Sequence, residues 1–257
     1  KNHRRRLTPP CEAITSMKVS YLNDEDLVFL QHCSEEQLAN LAQLLTHNEK
    51  GKRRLSSTLL HNELYMSMDG HPEQHRRNWQ LIAGEFQHFG GDSIANQIRG
   101  HGKLYREILR DVAKRLGLKT DKAMPTPAIE KLLLEQFVRN AWKRMNDEQK
   151  ARFHAAVELK VMELEALLSH LIDHHRLDHG IEHLLGEQLS HILHKHAAVS
   201  VIGHGLMRGA GLGGPVGAAV NGVKAVSGSA YRVTIPAVLR IACLRRVIAK
   251  AALQRAG

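Results

Sequence analysis

The sequence predicts an all-α fold, a multi-helix orthogonal bundle with a Gly-rich segment and a C-terminal basic amphipathic helix. Three observations lead there. Aromatic residues make up only 4% of the 257 residues, and β-branched runs are few, whereas Leu, Ala, Glu, Gln, Lys and Arg recur at helical spacing. Helix-start chemistry repeatedly precedes apolar stripes spaced i, i+3, i+4. The apolar share of 43% is ample for a core.

Residues 1–17 carry Arg4, Arg5, Arg6, Pro9 and Pro10 with little periodicity, and read as a disordered extension with Met17 as the start of the helical chain. Residues 18–52 read as a helical hairpin module. Asn23 or Asp24 caps a short helix through Phe29, and Ser34-Glu35-Glu36-Gln37 is a capping box opening a helix toward Thr46, with Leu38, Leu41, Leu44 and Leu45 on one face. A helical domain over 53–124 follows, with helices expected over Arg53–Met68, Pro72–Phe89 and Ser93–Leu116, punctuated by Gly70, Gly90, Gly91, Gly100 and Gly102. Met124-Pro125-Thr126-Pro127 is a linker in which Thr126 and Pro127 offer an N-cap and a first-turn proline for a helix through Met145. The second helical region, 125–198, continues from Asp147 to His175, with Phe153, Val157, Val161, Leu164, Leu167, Leu168 and Leu171 as its apolar stripe, and from Leu177 to Ala198.

From 199 to 232 the composition turns to Gly, Ala and Val. Gly205, Gly209, Gly213 and Gly217 fall four apart, the G-x-x-x-G spacing that lets helices approach backbone to backbone. Fifteen uncharged residues separate Arg208 from Lys224, short of the roughly 20 needed to span a bilayer. The segment therefore reads as a tightly packed soluble stretch, a membrane-contacting hairpin, or a ligand loop. Gly209-Ala210-Gly211-Leu212-Gly213-Gly214 matches a dinucleotide fingerprint, but no Asp or Glu follows Glu187 to hold a ribose.

Charge is distributed unevenly. Of the net charge of +10, nine basic residues lie after Glu187, which leaves about +1 for everything before. In the final segment, 233–257, Arg240, Arg245, Arg246 and Lys250 interleave with Val238, Ile241, Ala242, Val247 and Ile248. Such a helix suits an anionic membrane or a protein partner, or is simply a core helix whose basic polar face is solvated. Nucleic acid is disfavoured, since no aromatic residue is present for stacking.

His175, His179 and His183 are spaced i, i+4, i+8, which can bring imidazoles onto one zinc or nickel ion if the helix is continuous, although Gly180 weakens it. His179-Gly180-Ile181-Glu182-His183 also matches H-x-x-E-H, a zinc-peptidase signature with Glu182 as general base, but the further carboxylate ligand it needs downstream is missing. The plainer reading is solvated histidines. Cys11, Cys33 and Cys243 form no C-x-x-C pair, so neither a disulfide framework nor a cysteine zinc site is implied, and a reducing cytosol fits. No secretion signal or simple membrane span is legible.

Tyr21-Leu22-Asn23-Asp24, His32 to Leu38, Asn48-Glu49-Lys50-Gly51, Asn78 to Gly91, Asp92 to Tyr105 and the run Gly203 to Arg246 together resemble the YaaW family of enterobacterial proteins. The resemblance covers nearly all of Met17 to Arg246, and its motifs are long. It implies a short N-terminal helical module followed by a region similar to the ubiquinol-cytochrome c chaperone domain. It supplies no catalytic residue to carry over, and its pattern does not include the histidine run.

The leading expectation is a non-catalytic, chaperone-like binding or assembly protein without a cofactor. It docks through its basic Gly-rich C-terminal third (Gly205, Gly209, Gly213, Gly217, Arg240, Arg245, Arg246, Lys250) onto a protein partner or an anionic membrane surface, in the cytoplasm or peripheral to the inner membrane. Removal of Val199 to Gly257 should then leave a folded remainder. The alternatives are metal binding or hydrolysis at the histidines, and nucleic-acid binding.

Overall fold

The computed structural model describes residues 21–48, 50–90, 102–156, 163–173 and 215–256. The fold is all-α, and among the described residues the only β pairing is an isolated bridge between His47 and Arg53.

A 3₁₀ turn at Val28–His32 leads into α1, Glu35–Thr46. The capping box forms as the sequence predicts. The Ser34 hydroxyl accepts from the Gln37 amide at 3.2 Å, and the Gln37 side chain accepts from the Ser34 amide at 2.9 Å, so two backbone donors that a helix start leaves open are satisfied reciprocally. Leu38, Leu41 and Leu45 on its inner face are fully buried.

The helix expected over Arg53–Met68 is replaced by a turn, a 3₁₀ segment at Leu59–His61 and the short α2, Glu63–Met66. The buried Glu85 carboxylate accounts for this break: it accepts from the Thr58 and Leu59 amides, both at 3.1 Å, and holds the start of the 3₁₀ turn from across the core. The helix expected over Pro72–Phe89 divides into α3, Gln74–Arg77, and α4, Trp79–Gly90. After α4 the chain returns at Gly102, where a Cβ would lie 2.7 to 2.8 Å from the backbone and Cβ of Gln87, so only glycine permits that approach.

Next come α5, Tyr105–Arg115, and α6, Thr126–Trp142. Thr126 is the first helical residue rather than the cap, and Pro127 occupies the first turn, where its missing N–H costs nothing. The long helix expected from Asp147 to His175 is described as two, α7, Asp147–Ala156, and α8, Leu164–Asp173. Phe153, Leu167 and Leu168 of its stripe are buried. Val157 and Val161 lie outside the described residues, as do the helix expected over Leu177–Ala198 and the N-terminal extension.

The main correction concerns the C-terminus. A helix starting near Thr234 with a solvated basic face is expected, but α9 runs from Pro215 to Ala256 and passes through the centre of the bundle. It packs against the 3₁₀ turn at Val28–His32, α1, α4, α5 and α6. Every residue from Val233 to Leu244 is buried, Arg240 among them at 3% exposure. The physical reason lies in the sequence: Val233 to Leu244 is apolar on all sides except at Thr234 and Arg240, which is the pattern of a central helix rather than of a surface one. Pro236 sits inside this helix rather than at its start, and Pro215 opens it; burial on every side offsets the roughly 3 kcal/mol that an interior proline costs. The stretch Val233 to Leu244 is therefore core, and a bundle that loses it is not expected to stay folded.

Candidate functional site

The junction where the N-terminal segment, α5, α6 and α9 meet is built around charges buried inside the bundle. Glu130 on α6 and Tyr105 at the start of α5 face Arg245 on α9. The Tyr105 hydroxyl donates to Glu130 Oε1 at 2.6 Å, and Arg245 Nε lies 3.0 Å from both carboxylate oxygens. A second guanidinium nitrogen of Arg245 donates to the Asp26 carbonyl at 2.5 Å. The guanidinium also lies over two rings, 4.4 Å from the Phe29 centroid and 5.5 Å from that of Tyr105.

The N-terminal segment supplies the helix cap that α5 lacks and places a carboxylate at the start of α6. Leu104 and Pro125 precede these helices and offer no side-chain cap. Asp24 instead accepts from the Tyr105 amide at 2.6 Å, and Asp26 accepts from the Thr126 hydroxyl at 2.9 Å, so two carboxylates sit at two helix N-termini, where the helix dipoles favour negative charge. Gln87 of α4 closes the arrangement, donating to the Leu22 carbonyl and accepting from the Leu22 amide, both at 2.9 Å.

The electrostatics follow from this packing. Burial pushes the Glu130 carboxyl above its ordinary value, against the pull of Arg245 and of the Tyr105 hydroxyl. Burial and the neighbouring carboxylate push the Tyr105 phenol well up. Burial works against the charge of Arg245, but Glu130 and Tyr105 outweigh it and hold the guanidinium above its usual value. A phenol and a guanidinium that both grip one carboxylate act as a lock between elements.

The residues expected to contact a partner are placed differently from one another. Arg240 and Arg245 face the interior, Arg246 and Lys250 are half-buried, and beyond them Leu253 and Arg255 are exposed, Leu253 at 76%. Gly217 lies within α9, whereas Gly205, Gly209 and Gly213 lie outside the described residues. So do His175, His179 and His183. No group of His, Cys, Asp or Glu among the described residues could hold a metal ion, and no helix among them is long and apolar enough to cross a membrane.

Sequence reasoning did not single out Asp26, Tyr105 or Glu130, and it assigned Asp24 to its own short helix. One signal was available: Leu at 104 is a poor cap, so α5 needed an acceptor from elsewhere in the chain.

A family model described as a domain of unknown function (DUF3944) matches residues 21–55, and one described as ubiquinol-cytochrome C chaperone matches residues 74–239. The Arg245–Asp26 contact thus joins the first matched region to a part of α9 just beyond the second. The chain is 72% identical over 232 residues to the UPF0174 protein YaaW of Escherichia coli K12, covering 90% of this chain and 98% of that protein. It is 29% identical over 242 residues to a UPF0174 protein of Helicobacter pylori J99, covering 88% and 93%. No solved structure matches the chain. By these matches, this chain belongs to the UPF0174 YaaW family and to the family described as ubiquinol-cytochrome C chaperone.

Proposed function

We propose that this chain is a non-catalytic, chaperone-like helical protein that holds a partner polypeptide, docking through the exposed end of its basic, Gly-rich C-terminal third. The observation that carries the reading is the match of the ubiquinol-cytochrome C chaperone model over residues 74–239, which takes in α3 to α8 and the buried part of α9 as far as Leu239. The use of the buried charges supports it. Glu130, Tyr105 and Arg245 bind one another across three elements, which serves a scaffold. Docking falls to the part of α9 that emerges from the bundle, where Arg246 and Lys250 lie two turns and one turn before the exposed Leu253 on the same helix face. An apolar anchor preceded on its face by two cations suits an acidic, amphipathic segment of a partner. A cytoplasmic location belongs to the same reading.

A photo-crosslinking residue placed at Leu253 tests it, with the same residue at Leu104, 39% exposed and remote in sequence, as the control. Discrete polypeptide adducts at 253, absent at 104 and abolished by charge reversal at Lys250 and Arg255, are the expected result. The family description names ubiquinol-cytochrome C, so cytochrome-containing polypeptides are the first to seek among the adducts. A folded protein that gives no adduct at 253 would overturn the reading.

A further inference from the structure

An exposed basic turn follows α1, far in sequence from the end of α9. The chain reverses between His47 and Arg53, and the Asn48 side chain holds the reversal: its Oδ1 accepts from the Lys50 amide at 2.9 Å and the Lys52 amide at 3.0 Å. The Asn48 amide donates to the Lys52 carbonyl, and the Gly51 amide to the Asn48 carbonyl, both at 2.9 Å. Gly51 turns the chain at φ +70°, a conformation that a side chain would strain. Lys50, Lys52 and Arg53 are exposed on this turn, and no carboxylate among the described residues pairs with them. With Arg54, and counting Glu49 against them, residues 49–54 carry +3.

Leu55 follows directly and is 97% exposed, more than any other large apolar side chain among the described residues. Its exposure is set by the backbone on both sides. The Arg54 amide donates to the Thr46 carbonyl at 2.7 Å, and the Arg54 carbonyl accepts from the Ser57 amide at 3.2 Å. Leu45 before the turn, and Ser57 and Leu59 after it, are buried, so the tip is a short projection between two core anchors. Leu55 cannot fold back onto the core without breaking these bonds.

We infer that this tip docks the protein on an anionic lipid surface, with Leu55 entering the acyl boundary and Lys50, Lys52 and Arg53 lying among the headgroups. Charge complementarity selects the anionic partner, since each Lys or Arg near such a surface strengthens binding about fivefold. The shape selects lipid over a protein groove: a single apolar finger collared by long flexible cations matches a layer that is anionic outside and apolar beneath, and needs no complementary pocket. The inference is independent of the partner proposed for the end of α9.

The test is co-sedimentation of the full chain with phosphatidylglycerol-containing vesicles and with phosphatidylcholine vesicles, at low and physiological salt. Single-stranded DNA serves as a soluble polyanion for comparison. Binding confined to the anionic vesicles is expected, weakened tenfold or more in K52E/R53E and several-fold in L55S, while L55S leaves any DNA binding unchanged. These side chains are exposed, and circular dichroism verifies that the variants remain folded. No vesicle binding at low salt, or binding that L55S leaves intact, would overturn the inference. So would binding that L253S abolishes and L55S does not, which would place the membrane contact on α9 instead.

Discussion

Arg245 Nε sits 3.0 Å from both oxygens of Glu130, although 115 residues separate them in the chain. The Glu130 side chain is 1% exposed and that of Arg245 18%, so neither charge has water as an alternative partner of any consequence. Removing one partner of such a pair strands the other in a low-dielectric interior, whereas removing both can be nearly neutral. Arg245→Met should therefore lower stability by about 3–5 kcal/mol, and the double variant E130M/R245M should recover much of that loss. Urea unfolding of the two single variants and the double supplies the cycle, and an Arg245→Met protein within about 1 kcal/mol of the parent would show that the pair is not what holds α6 to α9.

Asp24 acts at a distance on a helix that lacks its own cap. Its carboxylate accepts from the Tyr105 amide at 2.6 Å and from the Asp26 amide at 3.0 Å. Asp24→Ala should cost about 1–2 kcal/mol, within the range measured for lost caps, and Asp24→Asn should cost less because an acceptor remains. Amide exchange at Tyr105 is the local readout, since that N–H loses its partner in the alanine variant. Unchanged exchange there would refute the capping role.

The C-terminal helix separates two kinds of truncation. A chain ending at Ile248 keeps the buried stretch Val233 to Leu244 and should melt cooperatively, whereas one ending at Arg232 loses that stretch and should not. Within it, Leu239→Ala, at a fully buried position, should cost about 2–5 kcal/mol. Circular dichroism melts distinguish these cases, and a cooperative melt from the shorter chain would return α9 to the periphery.

His154 gives stability a dependence on pH. Its ring packs edge-on against Trp142 at 5.2 Å, and neither ring nitrogen has a hydrogen-bond partner among the described residues. Burial holds its pKa below the ordinary value of 6.5. The unfolded chain thus binds this proton more readily than the folded one, and stability must fall as pH drops below about 6.5 toward the depressed folded value. His154→Phe removes that contribution, so the parent and the variant should diverge in urea midpoint across this window. Parallel midpoint curves would mean that the ring is not held neutral.

How much was legible in the sequence varied with the range of the interactions involved. The capping box at Ser34, the inner face of α1 and the all-α class depend on residues within four positions of one another, and the structure forms all three. Short-range signals misplaced the boundaries after Arg53 because the Glu85 carboxylate, 27 residues away from Thr58, holds that segment in a turn. The same signals placed Arg240 and Arg245 on a solvated face because charge is read locally as exposure. The apolar surroundings of Arg240 on every side of the helix were legible, but the Glu130 carboxylate that takes Arg245 inside was not, since no spacing rule joins positions 115 apart.

What the sequence determined by itself was the helical class, the helix starts set by their own caps, the family and the accumulation of positive charge after Glu187. Only the tertiary structure decided which of those charges meet solvent. It turned Arg240 and Arg245 inward and left Arg232 and Arg255 outward. The physical reason is that burial of a charge is settled by whether a distant partner replaces its water, and that partner is chosen by the packing of helices rather than by the residues beside it.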